Sequence, residues 1–213
     1  MNDLVIGHHR DGLAPALSRE IADLHREAIV GGFLSSLGQP FLVALYDGLA
    51  TSRSAFVITA TRGAELMGFI CGTTDTRRAY LEFGISRNGP RAAWHLLPKL
   101  VSLGVVRRVA ETLLYPAKTT AVELPRAEIL NFCVSEACRG QGVGKRLFVE
   151  LVAEFRRRNV HKIRIVTGAG QRSAQAFYDR LSARRVTELE VHDGAASVVY
   201  TYPIPKSREQ QDA

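Results

Sequence analysis

The stretch "NFCVSEACRGQGVGKRLFVELVAEF", Asn131 to Phe155, sets glycines at 140, 142 and 144 between an apolar run and a long amphipathic pattern. Glycine weakens helices and strands alike, so three of them at the entrance to a good helix need a reason. The order strand, glycine turn, helix supplies one. N–H groups in a first helical turn have no partner inside the helix, and the helix dipole favours negative charge there. Glycines also reach unusual dihedrals and carry no Cβ that would hold an anion off the main chain. Lys145 and Arg146 lie just inside the helix, where the dipole disfavours cations and a bound anion would relieve the conflict. The turn is thus a cradle for a diphosphate.

Around this centre the apolar spacing predicts further elements. "LVIGHHR" (Leu4–Arg10) is a short strand, and Leu17, Ile21, Leu24, Ala28 and Ile29 follow a helical period from Pro15. "GGF" breaks the chain, after which Gly38 to Leu49 reads as a second helix. "AFVITATRGAELMGFICGT" is a hairpin about Arg62-Gly63, and a second hairpin turns at Asp193-Gly194. "AEILNFCV" is a strand, 142–158 a helix, "KIRIVT" a strand and 172–183 a helix. Between Tyr80 and Thr120, Trp94, Leu97, Leu100, Val101 and Leu103 suggest helix, which Pro98 and Gly104 interrupt. Hairpins combined with strand–helix units give an α+β fold of three layers, a mixed sheet between helices. One domain over 1–205 is expected, with a helical insertion at about 80–120 and a polar tail at 206–213.

Composition limits what such a domain does. No run reaches the roughly 18 apolar residues of a membrane span, so no stable membrane insertion is expected. The start "MNDLVIGHHRDG" lacks the basic and apolar regions of a signal peptide. Three cysteines, Cys71, Cys133 and Cys138, make no disulfide framework. A cytoplasmic, reduced protein is the economical reading. The net charge of +7 suits an anionic partner, although solvated arginines account for it equally well. The pairs Arg77-Arg78, Arg107-Arg108 and Arg184-Arg185 and the triplet Arg156–Arg158 are scattered and without interleaved aromatics, so no nucleic-acid partner is expected. Cys133 and Cys138 are spaced C-x4-C with no further ligands nearby, and no metal is expected.

Two common phosphate loops do not match. A Walker loop requires G-x-x-x-x-G-K-S/T, but Arg146 follows Gly144-Lys145. The dinucleotide G-x-G-x-x-G fails because the spacing here is G-x-G-x-G, and "IVTGAGQRS" fails because Ser173 stands at its third glycine position. Arg139-x-x-Gly142-x-Gly144 instead resembles the Gln/Arg-x-x-Gly-x-Gly/Ala signature of the GCN5-related N-acetyltransferase (GNAT) superfamily. "QRSAQAFYDRLSARRV" is similar to that family's N-x-x-A-x-x-F-Y-x-x-x-G-F segment, with Ala174, Phe177 and Tyr178 in register. The chain departs from the pattern where Gln171 replaces Asn and Ser182-Ala183 replace Gly-Phe. The resemblance covers about Ala127 onward, and the order of earlier elements agrees with it.

The resemblance implies a mixed, mostly antiparallel sheet of about seven strands and acetyl-CoA as cosubstrate. Phe132, Cys133 and Val134 match the strand along which pantetheine pairs, with a main-chain N–H polarising the thioester carbonyl. Arg139, Gly140, Gln141, Gly142, Val143, Gly144 and Lys145 match the diphosphate turn, while Gln171, Ala174 and Phe177 match the second cofactor segment. The implied reaction is direct attack of a primary amine on the thioester. A lysine-like amine has a pKa of about 10.4 and must first lose a proton. Glu128 is the first candidate for the base, through a water, against the plain alternative of a carboxylate at a strand end. Glu82 and the pair His8/His9 follow it. Tyr178 matches the family's acid, which protonates the departing thiolate. No base partners either cysteine for a nucleophilic route.

Phe33, Leu34, Ser35 and Ser36 are the expected acceptor wall, although a plain interhelical loop explains them too. The leading expectation is acetylation of a small-molecule amine, an amino sugar or polysaccharide precursor among them. Protein acetylation at an N-terminus or lysine is the rival, to be separated by whether the insertion closes the acceptor groove. A non-catalytic acyl-CoA sensor is the rival of another class. A homodimer is left open.

Overall fold

The computed structural model describes residues 4–96, 124–192 and 195–205, with 189–192 and 195 described by their backbone alone. The expectations that fall on 97–123, on Asp193-Gly194 and on the tail 206–213 lie outside these residues.

Seven strands form one sheet: β1 (Leu4–His9), β2 (Ala55–Arg62), β3 (Glu65–Thr73), β4 (Glu128–Val134), β5 (Lys162–Gly168), β6 (Arg184–His192) and β7 (Ala195–Pro203). Their order is β1-β2-β3-β4-β5-β7-β6. Every neighbouring pair is antiparallel except β4 and β5. The α+β reading from sequence is the observed fold.

Helices cover both faces. On one lie α1 (Pro15–Ala28), α2 (Phe33–Ser36), α3 (Gln39–Thr51), α4 (Thr76–Ile85) and α5 (Asn88–Leu96). On the other lie α6 (Val143–Arg157) and α7 (Arg172–Arg180). The long helices are placed by their apolar stripes: α1 buries Ile21, Ala22 and Leu24, and α6 buries Leu147, Phe148, Leu151, Val152 and Phe155. Each such leucine or phenylalanine contributes about 1.5–3 kcal/mol of burial. The last turn of α6 carries Arg156 and Arg157, as its dipole favours.

Local caps and turns set the helix ends. Helix α4 starts at Thr76, where Asp75 caps it by accepting a hydrogen bond from the Arg78 N–H. Pro90 sits in the first turn of α5, where a missing N–H costs nothing, and the helix runs on through Trp94. The last long helix stops at Arg180, three residues early, because Ser182 turns left-handed at φ 60°.

Strand register fixes which end of the sheet is which. Val134 pairs with Gly68, whereas Glu128 pairs with Thr73, just before α4. The turn that follows β4 and the helices α4 and α5 therefore occupy opposite ends. β4 also carries a register shift, since Cys71 pairs with Asn131 and Gly72 with Ile129. Leu130 is the extra residue of a bulge, which flips the alternation so that Ile129, Phe132 and Val134 all meet the α6–α7 core.

Candidate active site

From Val134 the chain passes through a short 3₁₀ turn, Glu136–Cys138, into two glycines with positive φ: Gly140 at 77° and Gly142 at 82°. Bonds from Cys138 N to Ser135 O (2.9 Å), Arg139 N to Glu136 O (3.2 Å) and Gln141 N to Cys138 O (3.3 Å) fold the turn. The N–H groups of Gly140, Gly142, Val143, Gly144 and Lys145 take no main-chain partner among the described residues. A Cβ at Gly140 or Gly142 would have nothing within 4 Å, so the outer face of the turn is open. Gly144 does a different job: its Cβ position faces inward, 3.4 Å from Phe132 and 3.7 Å from Phe177. Val143, 1% exposed, anchors the turn to the core. Arg139 and Lys145 are exposed and make no ion pair among the described residues. Gln141 braces the turn, donating to Ala137 O (2.8 Å) and accepting from Arg62 Nη2 (3.3 Å). Open amides beside free cations fit a diphosphate.

Next to this turn the sheet forks. The parallel strands β4 and β5 are in register only at Glu128↔Arg164 and Ile129↔Ile165, while β5 continues against β7 along its whole length. The remainder of β4, including Phe132, Cys133 and Val134, has no strand on that side among the described residues. Helix α7 covers the fork. Phe177 packs edge-on to Phe132 with centroids 5.5 Å apart and to Phe148 at 6.0 Å, and Ala174 packs on the same core. Gln171 does not cap α7. Its Oε1 accepts from Thr167 Oγ1 (2.7 Å) and from Gly168 N (3.3 Å), tying the helix to the end of β5. Gln175, which sequence reasoning did not single out, completes the tie by donating to Gly168 O (3.1 Å) and Ala169 O (2.8 Å). Its signal was the i,i+4 spacing from Gln171.

Tyr178 sits beneath the fork, 5% exposed, with its ring 5.5 Å from Phe177 and 5.9 Å from Tyr200. Its hydroxyl has no hydrogen bond among the described residues. Burial, with Cys133 adding to it, raises the phenol above its ordinary range. It therefore keeps its proton and is a donor.

Glu128, the expected base, is held by Arg164. Its Oε2 accepts from Arg164 Nε (2.8 Å), Arg164 Nη2 (2.5 Å) and Thr76 Oγ1 (2.7 Å), and the residue is 6% exposed. The expected base is thus part of a buried ion pair, with Oε2 occupied by three donors. The other sequence candidates for the base are engaged elsewhere. Glu82 accepts from Ser52 Oγ (2.6 Å), Arg53 N (3.0 Å) and Ser54 N (3.1 Å). Burial pushes its carboxyl upward, but these bonds outweigh it and hold it at about 2. His8 faces Glu150 and His9 faces Thr59, both on β1, three strands from β4.

Sequence reading missed a polar pair in the α1–α3 core. His25 Nδ1 lies 2.5 Å from Tyr46 Oη, both residues are at most 1% exposed, and His25 Nε2 is buried without a partner among the described residues. Burial lowers His25 to about 4, so the ring is neutral. Nothing in the sequence marked it, since His25 occupies an apolar position four residues after Ile21.

Helix α1 packs on α3, β3 and β4 and is followed by α2. Phe33 and Leu34 pack on the core. Ser35 Oγ donates to Ile29 O (2.7 Å) and Ser36 Oγ to Phe33 O (2.6 Å), so both hydroxyl protons serve the local backbone. Cys71, Cys133 and Cys138 are buried free thiols, and burial pushes Cys133 up to about 12, which disarms it as a nucleophile. Among the described residues no cluster of three or more His, Cys, Asp or Glu could hold a metal, and no helix is long and apolar enough to cross a membrane.

Comparison with known proteins agrees with this fold. The profile of the acetyltransferase (GNAT) family matches residues 18–182. Solved structures of similar fold include an N-acetyltransferase from Staphylococcus aureus Mu50, with 9% identity and a TM-score of 0.59 over 95% of this chain and 99% of that one. NAA60 of Arabidopsis thaliana in complex with acetyl-CoA shares 16% identity, with a TM-score of 0.58 over 95% and 99% of the two chains. The ribosomal-protein-S18-alanine N-acetyltransferase of Escherichia coli shares 13%, with a TM-score of 0.54 over 97% of each. No curated protein sequence matches this one. With the family profile spanning most of the chain, over a forked sheet and an open glycine turn, the protein belongs to the acetyltransferase (GNAT) family, whose members use acetyl-CoA.

Proposed function

We propose that the protein is a cytoplasmic N-acetyltransferase that moves the acetyl group of acetyl-CoA to the primary amine of a small molecule by direct attack. One observation carries this reading: the N–H groups of Gly140 and of Gly142 to Lys145, without main-chain partners among the described residues, open beside the part of β4 that no described strand pairs with on the β5 side. The turn's N–H groups, with Arg139 and Lys145, hold the diphosphate. The free side of β4 at Phe132–Val134 pairs with pantetheine, and one of its N–H groups polarises the thioester carbonyl. Gln171, Ala174 and Phe177 hold the arm from the α7 side. The amine nitrogen bonds to the acetyl carbon as the carbon–sulfur bond breaks. Tyr178 gives its proton to the departing sulfur, and the amine's own proton leaves through water on the acceptor side. Phe33, Leu34, Ser35 and Ser36 form the acceptor wall. The Ser35 and Ser36 hydroxyl protons serve the backbone, so neither is a donor to an amino sugar.

A second reading, acetylation of a protein amine, has one observation in its favour. The described part of the insertion, α4 and α5, packs on α3 at the end of the sheet away from the glycine turn. It does not close the acceptor face. The Escherichia coli neighbour, by its name, acetylates a protein's alanine.

Free-thiol release from acetyl-CoA, measured with amino sugars, polyamines and peptides with free N-termini, tests both readings. Turnover with a small amine, slowed tenfold or more by Tyr178→Phe with acetyl-CoA affinity unchanged, is the expected result. Turnover with peptides alone supports the second reading. Tight binding without turnover on any amine makes the protein a sensor and refutes both.

A further inference from the structure

The fork has a pin at its base. One pair before β4 and β5 part, Glu128 and Arg164 face each other in register, 6% and 4% exposed. The guanidinium holds Glu128 Oε2 through Nε and Nη2 at 2.8 and 2.5 Å. Thr76, the first residue of α4, closes the group: its Oγ1 donates to Glu128 Oε2 (2.7 Å) and accepts from Arg164 Nη2 (3.1 Å). Its N–H reaches Arg126 O at 3.4 Å, just before β4. Tyr80, one turn further along α4, feels both charges. The insertion is therefore latched to the point where the two strands part.

A buried ion pair is a poor way to add stability, because desolvating both charges offsets most of their attraction. What it does supply is a fixed geometry, since a guanidinium and a carboxylate meet in few orientations. Here that geometry sets how far the two strands stay zipped and so where the fork begins. Resting on the proposed seat of acetyl-CoA in the fork, we propose that Glu128, Arg164 and Thr76 form a positioning unit that sets the depth at which the thioester comes to rest, and that Glu128 is not the base.

The two roles predict opposite patterns. A positioning pair makes Arg164→Met at least as harmful as Glu128→Gln, with KM for acetyl-CoA rising about tenfold and kcat staying within about threefold. The double variant Glu128→Leu/Arg164→Met, an apolar pair of similar bulk, recovers most of that loss. The milder Thr76→Val shifts KM in the same direction, and the pH–rate profile of Glu128→Gln keeps its wild-type midpoint. The proposal is overturned if Glu128→Gln and the double variant lose a hundredfold in kcat at unchanged KM while Arg164→Met turns over normally. Amide exchange at Ile129–Val134 and Ile163–Val166 decides the point without cosubstrate. Protection falls in Arg164→Met and returns in the double variant if the pair is the pin, and unchanged protection also overturns it. Calorimetry of acetyl-CoA on the wild-type chain is read separately, since absent heat there sinks the proposed function and leaves the exchange result standing.

Discussion

Replacing Glu154 by Gln removes a charge that three arginines converge on, and the cost is set by pH. Glu154 lies on α6 and is 2% exposed. It accepts from Arg157 Nε (3.0 Å) and Nη2 (2.6 Å), Arg158 Nε (2.7 Å) and Arg10 Nη2 (3.0 Å). Burial pushes the carboxyl upward, but the bonds and charges of Arg158 and Arg157 outweigh it and hold it at about 2, against an ordinary 4.5. At about 1.36 kcal/mol per pH unit, that gap amounts to about 3 kcal/mol of folding stability. Because the folded value is the depressed one, this stability is complete above pH 4.5 and is lost as pH falls towards 2. For a chain of 213 residues, about 3 kcal/mol corresponds to a melting temperature lower by about 6–12 °C. Thermal unfolding followed by circular dichroism, from pH 7 to pH 2.5 in steps, is the assay. The wild type and Glu154→Gln are expected to differ most at pH 5.5 and above and to converge under acid. A difference that stays constant across the range, or widens as the buffer becomes acidic, refutes the reasoning.

The remaining predictions are smaller. Ser182 sits at φ 60° just past Leu181, the C-cap of α7, where the family pattern has glycine. Ser182→Gly is expected to raise stability by about 1 kcal/mol, read as a higher urea midpoint, and a lower midpoint contradicts the strain. At the turn, Gly142→Ala meets both a forbidding φ and an anion's approach and should weaken acetyl-CoA binding tenfold or more. Gly144→Ala makes only ordinary contacts and should stay within threefold, so equal losses in calorimetry count against the cradle. The buried thiols Cys71, Cys133 and Cys138 are expected to resist Ellman's reagent at pH 8 until the chain is unfolded, and prompt reaction of native protein counts against their burial.

Much of the fold was legible because its signals are local. Periodicity marks α1 and α6, the run "AFVITATRGAELMGFICGT" carries its own turn, and Gly140, Gly142 and Gly144 declare a special backbone whatever surrounds them. The helix ends were harder, since the one after Tyr178 is set by a left-handed serine that no propensity anticipates. Partners across the sheet were not legible at all. Glu128 looked like a free carboxylate because Arg164 stands 36 positions away and Thr76 52 away. The bulge at Leu130 broke the alternation that would have said which face Phe132 joins. Ser35 and Ser36 looked available for a substrate, yet each bonds backbone within six residues of itself. Local chemistry is written in the string, whereas long-range pairing needs the chain brought together.

Strand β7 lies between β5 and β6, in register with β5 from Lys162↔Pro203 to Gly168↔Ser197. During synthesis, then, β5 has β4 for two residues on one side and nothing on the other until the stretch 195–203 has left the ribosome. The helices and the first four strands can assemble while the chain is still tethered, but the half of the sheet beyond the glycine turn waits for this late segment. A nascent chain stalled before it would expose a sticky, unpaired edge.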